Sequence, residues 1–316
     1  MPEKYEKYVC TLSPELQQQA KDELNEDPAR RQEDIDAIRK WLKKQPHINA
    51  RMDDWNILRF LRGCKFSLER TKEKMDMFYT CKTAVPEWFA NRDPDEPKMR
   101  ELLQMGVLVP TLPGTLAPNG ARIMIGRPGL RDPSNSSVGD MTRCMYTVLD
   151  VLLEEDDLVS VVVVNMVIDV QGLTFAHVAQ MTAPIIKKMS TIIQDGYPMR
   201  PKALHYINTP AAFDTVFNIF KSFMKEKMKK RIHIHGSDLS SLHKHIPPSL
   251  LPKEYGGTNG TVEDITRHWL KRVEARKQWL KEDEQYKVDE SKRPGKPKTS
   301  SDLFGIEGSF RQLNVD

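Results

Sequence analysis

His233 and His235 stand two apart in residues 231–235, a spacing that on a strand sets both imidazoles on one face, and His243 and His245 come soon after. Such a pair is the start of a zinc site, but no cysteine or obvious carboxylate completes the set. The four are therefore read as a polar strand face and loop histidines. The run Glu154-Glu155-Asp156-Asp157 has the charge to hold a cation. It lacks the spaced oxygen ligands and glycine of a calcium loop and is read as a solvated loop between helix and strand. Gly256-Gly257-Thr258-Asn259-Gly260 comes after a Pro-rich loop rather than a strand, which makes a poor phosphate cradle. There is no GxSxG elbow, HExxH, Walker GxxxxGK[ST], or GxGxxG after a strand. The expectation is a protein that is not an enzyme, with no catalytic residue, metal or cofactor. Turnover of an apolar substrate through His233 or His235 is the reading this disfavours.

The stronger pattern is apolar. Phe213, Val216, Phe217, Phe220, Phe223 and Met224 recur at helical spacing, with Asp214, Asn218 and Lys221 opposite. An ordinary core helix has this pattern too. The continuation of the helix sets it apart: residues 221–231 hold six basic side chains and one acid, Glu226. An apolar helix running into a cationic stretch suits an anionic membrane surface, where each basic residue adds roughly 1 kcal/mol. A calmodulin-like partner would favour the same pattern. Met141, Met145, Val148, Leu149, Leu152 and Leu153 mark a second wide apolar face, and Ile185, Ile186, Met189, Ile192 and Ile193 a third. A large apolar pocket closed by the Phe-rich helix accounts for these faces together.

These residues need elements to hold them. Up to about residue 98 the chain reads as helices. Ser13-Pro14 starts one, Ile35, Ile38, Trp41 and Leu42 mark a second, Asp53-Asp54 opens a third ended by Gly63, and Ser67 caps a fourth. In the fourth, Lys72, Lys74 and Lys82 are expected outward, with Met75, Phe78 and Tyr79 inward. Beyond residue 104, candidate strands at 106–109, 122–125, 159–170, 203–207 and 231–235 alternate with helices near 139–155, 175–195 and 210–229. Alternation of this kind predicts an α/β fold, a mostly parallel sheet flanked by helices, preceded by a small all-α domain. A last amphipathic helix spans about 261–284. The expected organisation is 1–98, 99–284, and a polar, mobile tail at 285–316.

The 316 residues carry 48 Lys+Arg against 44 Asp+Glu, a net +4 too mild for a dedicated nucleic-acid binder. Four dispersed cysteines, Cys10, Cys64, Cys81 and Cys144, fit a reduced compartment, so the sequons at Asn135 and Asn259 are without consequence. The segment from Met1 to Cys10 has no apolar signal region, and the longest apolar stretch, 158–168, falls short of the roughly 20 residues of a span. A cytoplasmic protein is expected.

Five ordered motifs resemble the CRAL-TRIO family. Asp54-Trp55-Asn56-Ile57-Leu58-Arg59-Phe60-Leu61-Arg62-Gly63-Cys64-Lys65-Phe66 is similar to its N-terminal helical signature, and Ile168-Asp169-Val170-Gln171-Gly172 to its strand-end motif. Tyr206-Ile207-Asn208-Thr209-Pro210 resembles its gate region. Arg231-Ile232-His233-Ile234-His235-Gly236 and Leu251-Pro252-Lys253-Glu254-Tyr255-Gly256-Gly257 resemble its closing strand and loop. Together they cover about residues 13–280, and the likeness is to the animal alpha-tocopherol transfer and retinaldehyde-binding branch.

The resemblance implies a lipid pocket between sheet and mobile gate helix. Its lining would be Val164, Ile168, Leu173, Phe175 and Met181, then Met189, Ile192, Ile193, Tyr197 and Leu204. Phe213, Val216, Phe217 and Phe220 would form the gate, with Phe223 at its far end; Met145 and Leu149 are added from their helix face alone. It also implies a phosphoinositide groove at Arg200, Lys202, Lys227 and Arg231, since basic clusters suit phosphates. Cys64 stands where a further basic residue is usual, with Lys65 beside it, and Gln171 replaces a usual acid. The implied function is a soluble carrier of a tocopherol-like or retinoid-like lipid, transiently associated with phosphoinositide membranes. The alternative is a phosphoinositide-binding scaffold or adaptor whose bound lipid is structural. Neither reading names a protein partner.

Overall fold

Ser13 and Asp53 each satisfy free backbone donors at a helix start, Ser13 accepting from the Leu16 amide and Asp53 from the Asn56 amide at 2.7 Å. They begin α1 (Pro14–Leu24) and α3 (Asp54–Gly63), between which lies α2 (Arg31–Leu42). The computed structural model describes residues 5–112, 116–117, 120–210 and 213–305. Glycine at the end of α3 has a steric cause: a Cβ on Gly63 would stand 2.5 Å from the Pro198 carbonyl oxygen. After it come α4 (Leu68–Ala84), α5 (Pro86–Phe89) and α6 (Pro97–Met105). Two lysines of α4 expected to face outward turn inward. Lys82 is buried against Asp283, and Lys74 donates to the carbonyls of Gln194 and Tyr197. A long aliphatic stem crosses an apolar face when carbonyls or a carboxylate wait at its end, and periodicity does not reveal them.

The remainder builds a five-stranded sheet in the order β1 (Leu108–Pro110), β2 (Arg122–Gly126), β3 (Val164–Asp169), β4 (Pro201–Ile207), β5 (Ile232–Ile234). β1 pairs antiparallel with β2, and all other pairs are parallel. The connections are α7 (Val138–Glu155), α8 (Asp157–Val161), α9 (Phe175–Gln180), α10 (Ala183–Thr191), a π-helical turn Ile192–Gly196, α11 (Phe213–Ser222) and α12 (Glu226–Lys229). The expected strand at 159–170 is too long at its start. Asp156 accepts from the Leu158 amide and winds 157–161 into α8, a boundary invisible in an apolar run without period.

Register aligns one face of the sheet into rows. Met124 lies beside Met166, which lies beside Leu204, then Ile232; Gly126, Ile168, Tyr206 and Ile234 form the next. Asp169 ties the strand ends together, accepting from the Gln171 amide at 3.0 Å, Asn208 Nδ2 at 2.9 Å and the Tyr255 hydroxyl at 2.9 Å. Gly172, at φ +81°, is the last residue of the strand-end motif and turns the chain there.

The chain closes with α13 (Leu239–His243), α14 (Val262–Ala275), α15 (Lys277–Asp283) and α16 (Ser300–Phe304). Residues 286–305, expected to be a mobile tail, instead run back over the N-terminal helices. Val288 pairs with Ile48, Arg293 and Lys298 bind Asp76, and Phe304 is fully buried beside α10. Mean polarity conceals such anchors because two apolar residues and one arginine are enough to dock a short strap. Residues 306–316 lie outside the described residues.

Candidate functional site

A cavity of about 290 Å³ lies over the aligned rows of the sheet, roughly twenty times what one water needs. Its wall is almost wholly apolar. Strand alternation supplies Met124, Val164, Met166, Ile168, Leu204 and Tyr206; α7 supplies Met141, Met145, Tyr146 and Leu149; the segment from β3 through the π-turn adds Leu173, Met181, Met189 and Ile193. Nine of the chain's fifteen methionines line it, Met199, Met224 and Met228 completing that set, so the wall is built of flexible, polarizable side chains that adapt to shape.

One side is closed by α11. Phe213 and Phe217 stack at 5.1 Å and both meet the Tyr206 ring. With Val170 they form a small apolar cluster separate from the main core. The far end of the helix is held to α10 and the π-turn by polar groups. Ser190 Oγ donates to the Phe223 carbonyl at 3.1 Å, Gln194 Nε2 reaches the same carbonyl at 3.4 Å, and Gln194 Oε1 accepts from the Lys225 amide at 3.1 Å.

Of the residues expected to line a pocket, Val164, Ile168, Leu173, Met181, Met189, Ile193, Leu204, Phe213 and Phe217 stand on the wall, as do Met145 and Leu149. Four stand elsewhere. Phe175 is exposed, Ile192 is buried in the main core, and Phe223 contributes its carbonyl to the junction with α10. Tyr197 is buried with its hydroxyl donating to Asp150 at 2.8 Å, where burial drives its pKa well up. The side chains of Val216 and Phe220 lie outside the described residues. Met166 and Tyr206 were legible as the period-2 companions of Val164 and Leu204. Arg131 and His177 on the wall had no such signal.

Arg200, Lys202 and Arg231 gather at the starting ends of β4 and β5, where Arg231 Nη1 donates to the Pro201 carbonyl, while Lys227 is exposed on α12. None of the four pairs with a carboxylate among the described residues, whereas Lys225 pairs with Asp195 and Lys229 with Glu226. Arg200 is half-buried, donates to the Val161 carbonyl, and has its pKa lowered by burial. Cys64 is buried with its thiol pKa raised, and neighbouring Lys65 is exposed.

The other sequence candidates resolve into structural parts. His233, His235 and His245 stack around His205 on the sheet face away from the cavity, and His243 binds the Tyr255 carbonyl instead. Among the described residues no group of three or more His, Cys, Asp or Glu side chains is placed to hold a metal. The acidic run is not a solvated loop. Glu154 pairs with Arg59, Glu155 with Arg272 and Arg276, Asp156 with Arg122, and Asp157 with Arg62, because arginines from the helices and β2 converge there. No helix among the described residues is long and apolar enough to cross a membrane.

A mixed sheet with an apolar cavity between it and the helices that flank it, preceded by further helices, defines an α/β module with room for an apolar ligand. Residues 111–257 match the CRAL/TRIO domain model and residues 27–99 the Pinta-like, UBA domain model. The chain belongs to the CRAL-TRIO family. It is 37% identical over 260 residues to the alpha-tocopherol transfer protein-like protein of Homo sapiens, covering 82% of this chain and 75% of that one. Clavesin-1 of Xenopus laevis is 32% identical over 251 residues, covering 78% and 74%. The crystal structure of Sfh5 has the same fold at a TM-score of 0.51 and 15% identity, covering 81% of this chain and 99% of that one.

Proposed function

We propose that this protein is a non-enzymatic carrier of one hydrophobic lipid, tocopherol-like or retinoid-like, that loads and unloads through α11 at a phosphoinositide-bearing membrane. The observation that carries the reading is the cavity, large, apolar and lidded by a helix packed on its own aromatic cluster. Moving α11 breaks that cluster without opening the main core, so the lid has a lower cost of displacement than the sheet beneath it. At a membrane, exposed phenylalanines would recover about 1.5–3 kcal/mol each in lipid. The unpaired cations Arg200, Lys202, Lys227 and Arg231 would hold headgroup phosphates through charge-assisted hydrogen bonds. Because the open state alone gains these contacts, the membrane shifts the lid equilibrium toward release. The opposing docking of an acidic helix on the same basic stretch would leave the cavity unused.

Native mass spectrometry of protein from its own tissue, with extraction of the bound species, tests the reading: one uniform apolar molecule per chain is expected. Charge reversal at Lys227 and Arg231 should slow transfer to phosphoinositide liposomes by an order of magnitude or more at low salt. Unaltered transfer would remove the groove from the mechanism.

A further inference from the structure

Six arginine side chains are buried among the described residues, and five have a carboxylate. Arg39 pairs with Asp36 and Asp54, Arg59 with Glu154, Arg62 with Glu26 and Asp157, Arg92 with Asp150 and Asp283, and Arg122 with Asp156. Arg131 has none. It stands on the cavity wall, 3% exposed, after the turn that succeeds β2. Its Nη1 donates to the Ser136 carbonyl at 2.6 Å, and its Nε has no partner. The carboxylates whose field it feels are engaged elsewhere: Asp132 accepts from Ser134, and Asp140 from Ser137 and Arg143. His177, also on the wall, offers it nothing, since one ring nitrogen meets Thr174 and the other the Arg131 carbonyl.

A guanidinium carries five N–H donors and does not lose its proton, so it cannot escape the cost of burial by neutralising itself. Among the described residues every other buried arginine is matched with an anion. At Arg131 the open side is the ligand space.

We infer that the cargo carries a carboxylate head, received by the fork of Arg131, with its hydrocarbon along the methionine-rich wall. This rests on the cavity being the lipid site. It narrows the class from a tocopherol-like or retinoid-like lipid to a lipid acid, which sets aside tocopherol with its phenol head. A carboxylate suits the single cation, because it brings one charge and accepts two parallel N–H bonds. A phosphate monoester brings about 1.5 to 2 charges, which one arginine leaves partly unpaired.

Titration calorimetry of the full chain at neutral pH with hexadecanoic acid, hexadecan-1-ol and hexadecyl phosphate tests this. The acid should bind about tenfold or more tighter than the alcohol, and tighter than the phosphate. Arg131→Gln should bring the acid to the level of the alcohol while leaving alcohol binding within about threefold, which also shows that the variant is folded. Arg131→Lys should keep part of the preference. Equal binding of acid and alcohol by the unaltered protein, or a preference surviving in Arg131→Gln, overturns the assignment while leaving the carrier reading in place. Tighter binding of the phosphate overturns the carboxylate class. Binding of none of the three overturns both.

Discussion

His205 and His235 share one hydrogen bond, Nδ1 to Nε2 at 2.9 Å, and His235 passes the chain on to Ser241. Only one proton fits between the two rings. Burial first, then His233, His235 and His245, push the pKa of His205 down to about 3. Well above pH 7 the group is neutral in both folded and unfolded chains and contributes no pH dependence. Below the ordinary value near 6.5 the unfolded chain takes up a proton that the folded chain refuses until about pH 3. Stability therefore falls as pH falls across that window, and the slope near pH 6 reflects about one proton per such histidine. Thermal melts at pH 7.5, 6.5 and 5.5 should show Tm dropping in the native protein and a flatter profile in His205→Gln. Equal slopes would locate the titration elsewhere. Spacing in the sequence placed His233 and His235 on one face correctly, but the residue that centres the cluster, His205, comes from a neighbouring strand and is linked to them only by register.

Gln194 occupies the π-turn and bonds to Ser190 on one side and to the Phe223 carbonyl and Lys225 amide on the other, so with Ser190 it ties α10 to the end of α11. Gln194→Ala removes its bonds to the Phe223 carbonyl and Lys225 amide, each worth about 0.5–1.5 kcal/mol net. The dissociation rate of a bound fluorescent lipid should rise roughly fivefold to a hundredfold, with Tm almost unchanged, because the main core is untouched. A rate equal to that of the unaltered protein would mean that α11 is not what retains the ligand. The elements themselves were largely legible: α1, α3, β2, α7 and the Phe-rich α11 come from caps and periods. The π-turn was not, since an extra residue within a turn leaves the apolar pattern Ile185, Ile186, Met189, Ile192, Ile193 looking continuous. Ile192 and Ile193 consequently part company, one into the core and one onto the cavity wall. Arg131 was equally unreadable, because an arginine near prolines and glycines looks like any polar loop until its neighbours are seen.

At the scale of the whole chain, one buried charge network joins the N-terminal helices to the sheet domain. Asp283 on α15 accepts from Lys82 at 2.5 Å, Arg92 at 2.7 Å and Arg51 at 3.0 Å, and Arg92 passes to Asp150 on α7. These cations hold the Asp283 carboxyl far below the usual carboxylate range. Asp283→Asn leaves Lys82 and Arg51 without a carboxylate and Arg92 with Asp150 alone, and should cost about 3–5 kcal/mol, read as a single cooperative loss in denaturant melts. The strap after α15 extends the same logic to α10 and α11. From Val288 to Phe304 it crosses α4 and ends against α10, the helix that carries Ser190 and lies beside α11. Ending the chain at 285 strips Asp76 of Arg293 and Lys298, leaving His47, and uncovers the site filled by Phe304. Loss of a buried phenylalanine alone costs about 3–5 kcal/mol. A chain ended at 285 should therefore melt well below the full protein and release lipid faster, since α10 loses its backing. A chain ended at 305 keeps every one of these contacts and should match the full protein in both. That second truncation separates a carrier from an adaptor. Transfer surviving in the 305 chain while a partner is lost would assign recruitment to residues 306–316, and a 285 chain as stable as the full protein would show that the strap does not brace the lid.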